Sequence, residues 1–371
     1  MTCSPGRVMN KKRLIIDKVY ETFRESIFDA VPPIHQAQLI DFQKTEFGKY
    51  SLQQNEIFNQ WMYQENDANK RLYCMQNQQV VAHQSAIAIK LKLGDKVVNA
   101  AYAIDLKVCE KWKSKGVGVA MVGALMNRFD VLIGLGVSDE AKKMFERQGW
   151  QNLGRLNFYL KPMNVNGLKT NRIGASPIYH IRDFMALACS RMIDIYKNFW
   201  LPSIKLTPIT EFDQRHQELC ESLQTEQMNS LERSQVFLNW RFCQYPGKPA
   251  YEKYQYISDT GELEGFIVLK ESLWAGKRTL KVVELQTHDK LLPLFINESV
   301  KIAKIRKVDL LIFHGLDQKL EETLEKHLFY KRSHGARFLA YSNQPALKTK
   351  IAEINHWQVH NCESDMDICF R

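Results

Sequence analysis

Apolar and polar positions change period several times along this chain, and the changes fall into two similar series of elements. Apolar residues recur at helical spacing from Arg13 to Ala30, where Pro32-Pro33 closes the segment. A second helical pattern runs from Ile34 to Phe47, followed by a more polar stretch carrying Phe58, Trp61 and Tyr63. From Arg71 the period shifts towards two. Leu72 to Met75 and Val80 to Leu93 read as strands, with Gly94-Asp95 as the turn into a third, Val97 to Val108. Next come a helix from Val119 to Phe129, a short buried strand from Val131 to Gly136, and a helix from Ser138 to Gln148 that Gly149 stops.

Between Pro162 and Pro202 the alternation lapses. A loop-like Asn164-Val-Asn-Gly167 leads into helical spacing from Ile181 to Phe199, read as a connecting helix. Then the series restarts. A helix spans Phe212 to Glu226, and an aromatic element surrounds Phe237 to Phe242. Strands follow at Tyr254 to Ser258, Gly265 to Glu271 and Thr279 to Gln286. A helix (Leu292 to Lys304), a strand (Val308 to Phe313) and a helix (Lys319 to Leu328) come next, and the chain closes in strands. The expected fold class is α+β, with two copies of one unit, each a mixed, mostly antiparallel sheet flanked by helices. Residues 1–165 would form the first copy, 166–205 a helical linker and 206–371 the second copy.

Length and composition agree with two globular domains: 371 residues, 45% hydrophobic and 25% charged. No apolar run approaches the roughly 20 residues of a spanning helix, and the first thirty residues hold no signal-peptide core. Eight scattered cysteines without a CxxC pair argue against a zinc site or disulfide framework and fit a cytoplasmic protein. The net charge of +10 comes from Lys and Arg interspersed with acids, so it does not single out nucleic acid over an anionic small ligand.

The candidate chemistry sits in Lys113-Ser114-Lys115-Gly116-Val117-Gly118. A strand ends at Val108, the loop is rich in Lys, Ser and Gly, and a helix starts directly after it. Such a junction offers unpaired backbone N–H groups and the positive end of a helix dipole to an anion. Glycines at 116 and 118 would let a phosphate approach where a Cβ would collide. The spacing is neither a triphosphate loop nor a dinucleotide fingerprint, which leaves another diphosphate ligand.

The stretch Val108 to Gly118 resembles the acetyl-CoA loop of the GNAT acyltransferase superfamily, roughly V-x-P-x-x-R-x-x-G-x-G. Gly116 and Gly118 match, Lys113 stands where Arg or Gln is usual, and Glu110 where Pro is common. Ser138 to Trp150 resembles the family's N-x-x-A-x-x-x-Y-x-x-x-G-F block, with Ala141 and Gly149 matching, Ser138 in place of the coenzyme-contacting Asn and Phe145 in place of Tyr. The likeness covers roughly residues 30–162.

The resemblance implies that Lys113, Ser114, Lys115, Gly116, Val117, Gly118 and Val119 cradle a pyrophosphate. It further implies that Leu106 to Val108 pair with the pantetheine arm, and that Ser138, Ala141 and Phe145 border the coenzyme. Gly134 and Gly136 would leave room for the arm to enter between strands. Asp105 or His83 would be the base that an ammonium acceptor requires. Phe145 cannot protonate a leaving thiolate, so either the thiolate leaves without that acid, another residue such as Tyr102 serves, or the activity is weak. Gly116→Val would then exclude the coenzyme and spare the fold.

The second half lacks a glycine loop after Gln286 and reads as a degenerate copy. Its aromatic motif around Trp240 and its tail resemble tandem GNAT proteins of bacterial polysaccharide gene clusters. That likeness makes Arg241, Asp365 and Asp367 candidate acceptor-binding residues between the two domains.

The expected function is acyl transfer from acetyl-CoA, or another acyl-CoA, to a small amine such as an amino-sugar, with no metal. The alternatives are a Fem-type aminoacyl transferase, which would bind aminoacyl-tRNA, and a non-catalytic binding protein on the same fold. Neither the acceptor nor the oligomeric state is legible.

Overall fold

A computed structural model describes residues 16–48, 51–66, 68–168, 177–332 and 335–368. The first residues of the expected Arg13 to Ala30 helix therefore lie outside the described residues. In chain order the strands are β1 (Ile27–Phe28), β2 (Lys70–Gln76), β3 (Gln79–Leu93), β4 (Lys96–Val108), β5 (Val131–Leu135), β6 (Gln151–Arg155), β7 (Asn157–Pro162), β8 (Thr207–Pro208) and β9 (Asn229–Leu231). They continue with β10 (Glu252–Ile257), β11 (Leu263–Trp274), β12 (Lys277–Thr287), β13 (Leu310–Gly315), β14 (Tyr330–Arg332) and β15 (Arg337–Tyr341). The helices used below are α1 (16–23), α2 (Gln36–Phe47), α3 (Val117–Met126), α4 (Asp139–Arg147), α5 (Pro177–Trp200) and α6 (Leu292–Ile305).

Two compact units divide the chain. One comprises residues up to 155 with 229–231 and 336–356, and the other 156–228, 232–335 and 357 onward. The first sheet runs β1-β2-β3-β4-β5-β15-β6, with β9 alongside β3; the second runs β8-β10-β11-β12-β13-β7-β14. Along these paths the two orders coincide strand for strand, and in each a parallel pair is central: β4 with β5, β12 with β13. This bears out the expected α+β class.

The units are not contiguous halves, and here the expected boundaries fail. Strand β15, from the last forty residues, inserts between β5 and β6, while β7, early in the chain, inserts between β13 and β14. Each sheet takes its sixth position from the other end of the sequence. The expected linker helix also changes role. Helix α5 belongs to the second unit, where its Asp194 is buried between Lys161 (2.9 Å) and Lys304 (2.8 Å).

In the first unit β3 is buried on both faces, so it does not show the clean alternation of a half-exposed strand. One face carries Leu72, Ala82, Ala86 and Ala101 against Val117, Met121 and Leu125 of α3. The other carries Tyr73, covered by Leu39 and Phe42 of α2. Among the described residues no helix is long and apolar enough to cross a membrane.

Burial pushes His314 and His327 of the second unit down from 6.5 to about 4. Between those values the unfolded chain binds protons that the folded chain refuses. Their stabilising contribution is therefore complete above pH 6.5 and is lost as the pH falls towards 4, at up to about 3 kcal/mol for each imidazole. Urea unfolding at pH 7 and at pH 4.5 should show the loss; equal stabilities would refute it.

Candidate functional site

The glycine loop begins where β4 ends. Ser114 (φ 62°) and Gly116 (φ 90°) both adopt left-handed backbone, and the second suits glycine because it carries no Cβ. Gly116 caps α3, and its carbonyl accepts the Ala120 N–H at 3.0 Å. The N–H groups of Val117, Gly118 and Val119 occupy the first turn, where the helix itself supplies no acceptor. Lys113 is exposed and pairs with Glu110 at 2.6 Å, while the Lys115 ammonium lies 4.8 Å from the Trp112 ring centre.

The glycines serve a purpose other than the one expected. A Cβ on Gly116 would lie 3.0 Å from Val19 of α1, and one on Gly118 would lie 3.3 Å from Met144 and 3.5 Å from Val108. Both would point into the protein. Gly116→Val would thus add left-handed strain, about 1–2 kcal/mol, and crowd α1, so the fold would not be spared.

Beside the loop, the central strands part. β4 and β5 pair from Ala100 with Val131 to Tyr102 with Ile133, and no further, although β4 continues to Val108. Among the described residues, no strand is registered against the β5-facing edge of β4 beyond Tyr102. On its other edge the register with β3 slips, from Ser85 opposite Ile104 to His83 opposite Lys107. The extra residue includes Asp105 at φ 54°, a bulge that turns this half-buried carboxylate off the regular pleat.

A polar cluster surrounds the bulge. His83 is fully buried; its Nδ1 lies 3.2 Å from the Asp105 carbonyl, and its Nε2 lies 3.1 Å from Ser85 Oγ and 3.3 Å from Arg71 Nε. The guanidinium can only donate, so Nε2 accepts and Nδ1–H donates to the carbonyl. Burial first, then the Arg71 charge, hold the imidazole well below its ordinary range. A neutral ring with both nitrogens engaged and no exposure is poorly placed to take a proton from a substrate, which removes the reason for reading His83 as the base. Gln53 donates its side-chain amide to Asp105 Oδ2 at 3.0 Å, and its backbone carbonyl accepts from Arg71 Nη2 at 3.1 Å. Burial, with the Asp105 charge second, raises the Tyr63 phenol, and burial pushes Tyr73 up to about 12. Gln53, Tyr63, Arg71 and Ser85 were not singled out from sequence; they lie on separate elements with no motif linking them.

The remaining expected residues sit as follows. Tyr102 is buried at the last pair before the strands part. Leu106 and Val108 lie on β4 beyond Tyr102 and pack against the α3 core. Ser138 Oγ accepts the Ala141 N–H at 3.2 Å, capping α4. Phe145 is buried and stacks on Trp150 with ring centres 4.5 Å apart, making it a core residue. Gly134 is close-packed, since a Cβ there would lie 2.9 Å from Val137.

Arg241 and Asp367 are buried together in the second unit, with Tyr251 bonded to both, and the guanidinium also donates to the Cys362 carbonyl. An acceptor could not reach that pair, contrary to the expectation. Asp365 is half-buried and accepts from Ser364 Oγ at 3.0 Å.

In the second unit β12 and β13 part as well, after Val282 and Phe313. There the chain's own tail fills the opening. Leu316 and Val359 exchange backbone bonds, and Cys362 N–H donates to the Val283 carbonyl at 3.0 Å. A cavity of about 30 Å³ remains beside Glu284, Phe313 and His360, room for a water but not for a pantetheine arm.

No family model and no curated protein matches this chain. Solved structures do. A GCN5-related N-acetyltransferase from Anabaena variabilis is 12% identical, with 85% of this chain and 71% of that one covered and a TM-score of 0.58. A GCN5-related N-acetyltransferase from Kribbella flavida gives the same figures. Saccharomyces cerevisiae N-myristoyltransferase with bound myristoyl-CoA is 14% identical, with 85% and 82% covered and a TM-score of 0.54. This chain shares the fold of these N-acetyltransferases and of N-myristoyltransferase. At these identities the likeness speaks for the GNAT fold alone, and the chemistry rests on the residues above.

Proposed function

We propose that this chain is an acyl-CoA-dependent N-acyltransferase, probed most simply with acetyl-CoA and a small amine, with its coenzyme site in the first unit. The observation that carries the reading is the parting of β4 from β5 directly beside the N-terminus of α3. The β5-facing edge of β4 beyond Tyr102 suits the amides of a pantetheine arm, which would add to it like a strand. The first-turn N–H groups of α3, with Lys113 and Lys115, suit the pyrophosphate. An N–H of that edge would hold the thioester oxygen as charge develops on it.

In this reading the amine nitrogen attacks the thioester carbonyl carbon, the C–S bond breaks, and coenzyme A leaves as the thiolate. Asp105 takes the amine's proton, held for that purpose by Gln53 and by the bulge. The tail-filled opening of the second unit favours a single coenzyme per chain. An aminoacyl-tRNA donor has less support, since it needs neither the loop nor the opening.

Calorimetry at modest salt should find one acetyl-CoA per chain, and no heat at millimolar ligand would sink the reading. Both loop lysines are exposed, so Lys113→Glu with Lys115→Glu should weaken that binding roughly ten- to hundred-fold without loss of fold. Unchanged affinity in the double variant would misplace the cradle.

A further inference from the structure

Arg71 differs from the guanidinium groups buried in the second unit. Arg233 is paired with Glu284 and Glu363, and Arg241 with Asp367. The half-buried Arg306 is also matched, by Glu252 and Glu271. Arg71 is likewise half-buried, yet among the described residues no carboxylate lies within ion-pair reach of it. Its bonding partners are neutral, the His83 imidazole and the Gln53 carbonyl, and its flanks are the rings of Tyr63 (5.0 Å to centre) and Tyr73 (5.6 Å).

A guanidinium cannot shed its charge, and it carries five N–H donors in a planar fork. Two of them account for the bonds to His83 and Gln53. A half-buried cation held between two phenol rings, with neutral hydrogen-bond partners, keeps donors that an anion could take. Gln53 adds a second constraint: its side-chain amide donates to the Asp105 carboxylate and its backbone carbonyl accepts from Arg71, so one residue holds both charges in place. A positive and a negative group held side by side complement a ligand that carries both signs.

We propose that the acceptor is an amine bearing an anionic group, a carboxylate or a phosphate, that pairs with Arg71 and so delivers the amine to Asp105. This rests on the transferase reading above and narrows its substrate class. Arg71 acts as a specificity residue, and His83 positions it by accepting from Nε.

The test uses the intact chain and acetyl-CoA with matched acceptors: an amino acid against its amide, and an aminoalkyl phosphate against the corresponding amino alcohol. At least one anionic member should show a kcat/KM about tenfold or more above its uncharged partner, as a charge-assisted fork contact would give. A carboxylate preference and a phosphate preference distinguish the two sources of the anion. Arg71→Met should abolish the preference through KM, and Arg71→Lys should keep part of it, having charge but no fork. Equal kcat/KM within both pairs in the unaltered protein overturns the anion assignment and leaves acyl transfer standing. Acetyl-CoA binding without thiol release for any amine overturns the transferase reading, and this assignment with it. The acceptor comparison needs no variant, so a misfolded Arg71→Met protein would not leave the matter undecided.

Discussion

Replacing Asp105 with asparagine should lower kcat for amine acylation by about 10²- to 10⁴-fold, the range for loss of a positioned base, while acetyl-CoA affinity stays nearly constant. Asparagine is the informative choice because it tolerates the left-handed backbone that residue 105 adopts, φ 54°. Its side-chain oxygen can still accept from Gln53, so the cluster keeps its shape and loses only the charge. A base in the free enzyme sets the acid limb of the kcat/KM profile, and that limb should vanish in the variant along with the rate. His83 provides the contrast. Its ring is neutral, buried and bonded at both nitrogens, so His83→Gln should act indirectly, by loosening Arg71 and the bulge. Steady-state rates at saturating acetyl-CoA, with calorimetry on the same preparations, separate these effects. If Asp105→Asn turns over as fast as the parent, the base is elsewhere.

What was legible in the sequence was what local chemistry dictates. The strand-loop-helix junction at residues 108–118 could be read because a strand end, left-handed glycine and a first helical turn are all short-range features. The packing role of the glycines is not legible there, because the neighbours of their absent Cβ atoms, Val19 and Met144, come from α1 and α4 and are fixed only by tertiary packing. The exchange of β7 and β15 was not legible either. Each is a strand of five or six residues whose partners lie far away in sequence, as Phe338 lies opposite Leu135. Hydrophobic periodicity reports that such a segment is a strand and says nothing about which sheet it joins. The Arg71–Gln53–Asp105 arrangement was hidden for the same reason: it is assembled from three elements by the bulge in β4, and a bulge leaves little trace in residue type.

Burial of the chain's tail leads to the second large effect. Asp367→Ala should destabilise the second unit by about 3–5 kcal/mol, the usual cost of removing one member of a buried ion pair. The aspartate meets both the Arg241 guanidinium and the Tyr251 hydroxyl, and the Lys270 ammonium donates to its backbone carbonyl at 3.3 Å. Truncation leaves Arg241 with charge and no counter-charge at 2% exposure. The same residues anchor the stretch from Val359 to Cys362 that occupies the opening between β12 and β13, because Arg241 also donates to the Cys362 carbonyl at 3.0 Å. Urea unfolding followed by tryptophan fluorescence would report the loss. The double change Arg241→Met with Asp367→Ala should recover much of it, since it leaves neither charge of the pair stranded. An acceptor-binding role makes the opposite forecast: a raised KM for the amine at undiminished stability. The two readings thus differ in both observables, and a stable Asp367→Ala protein with impaired acceptor binding would return this pair to the active site.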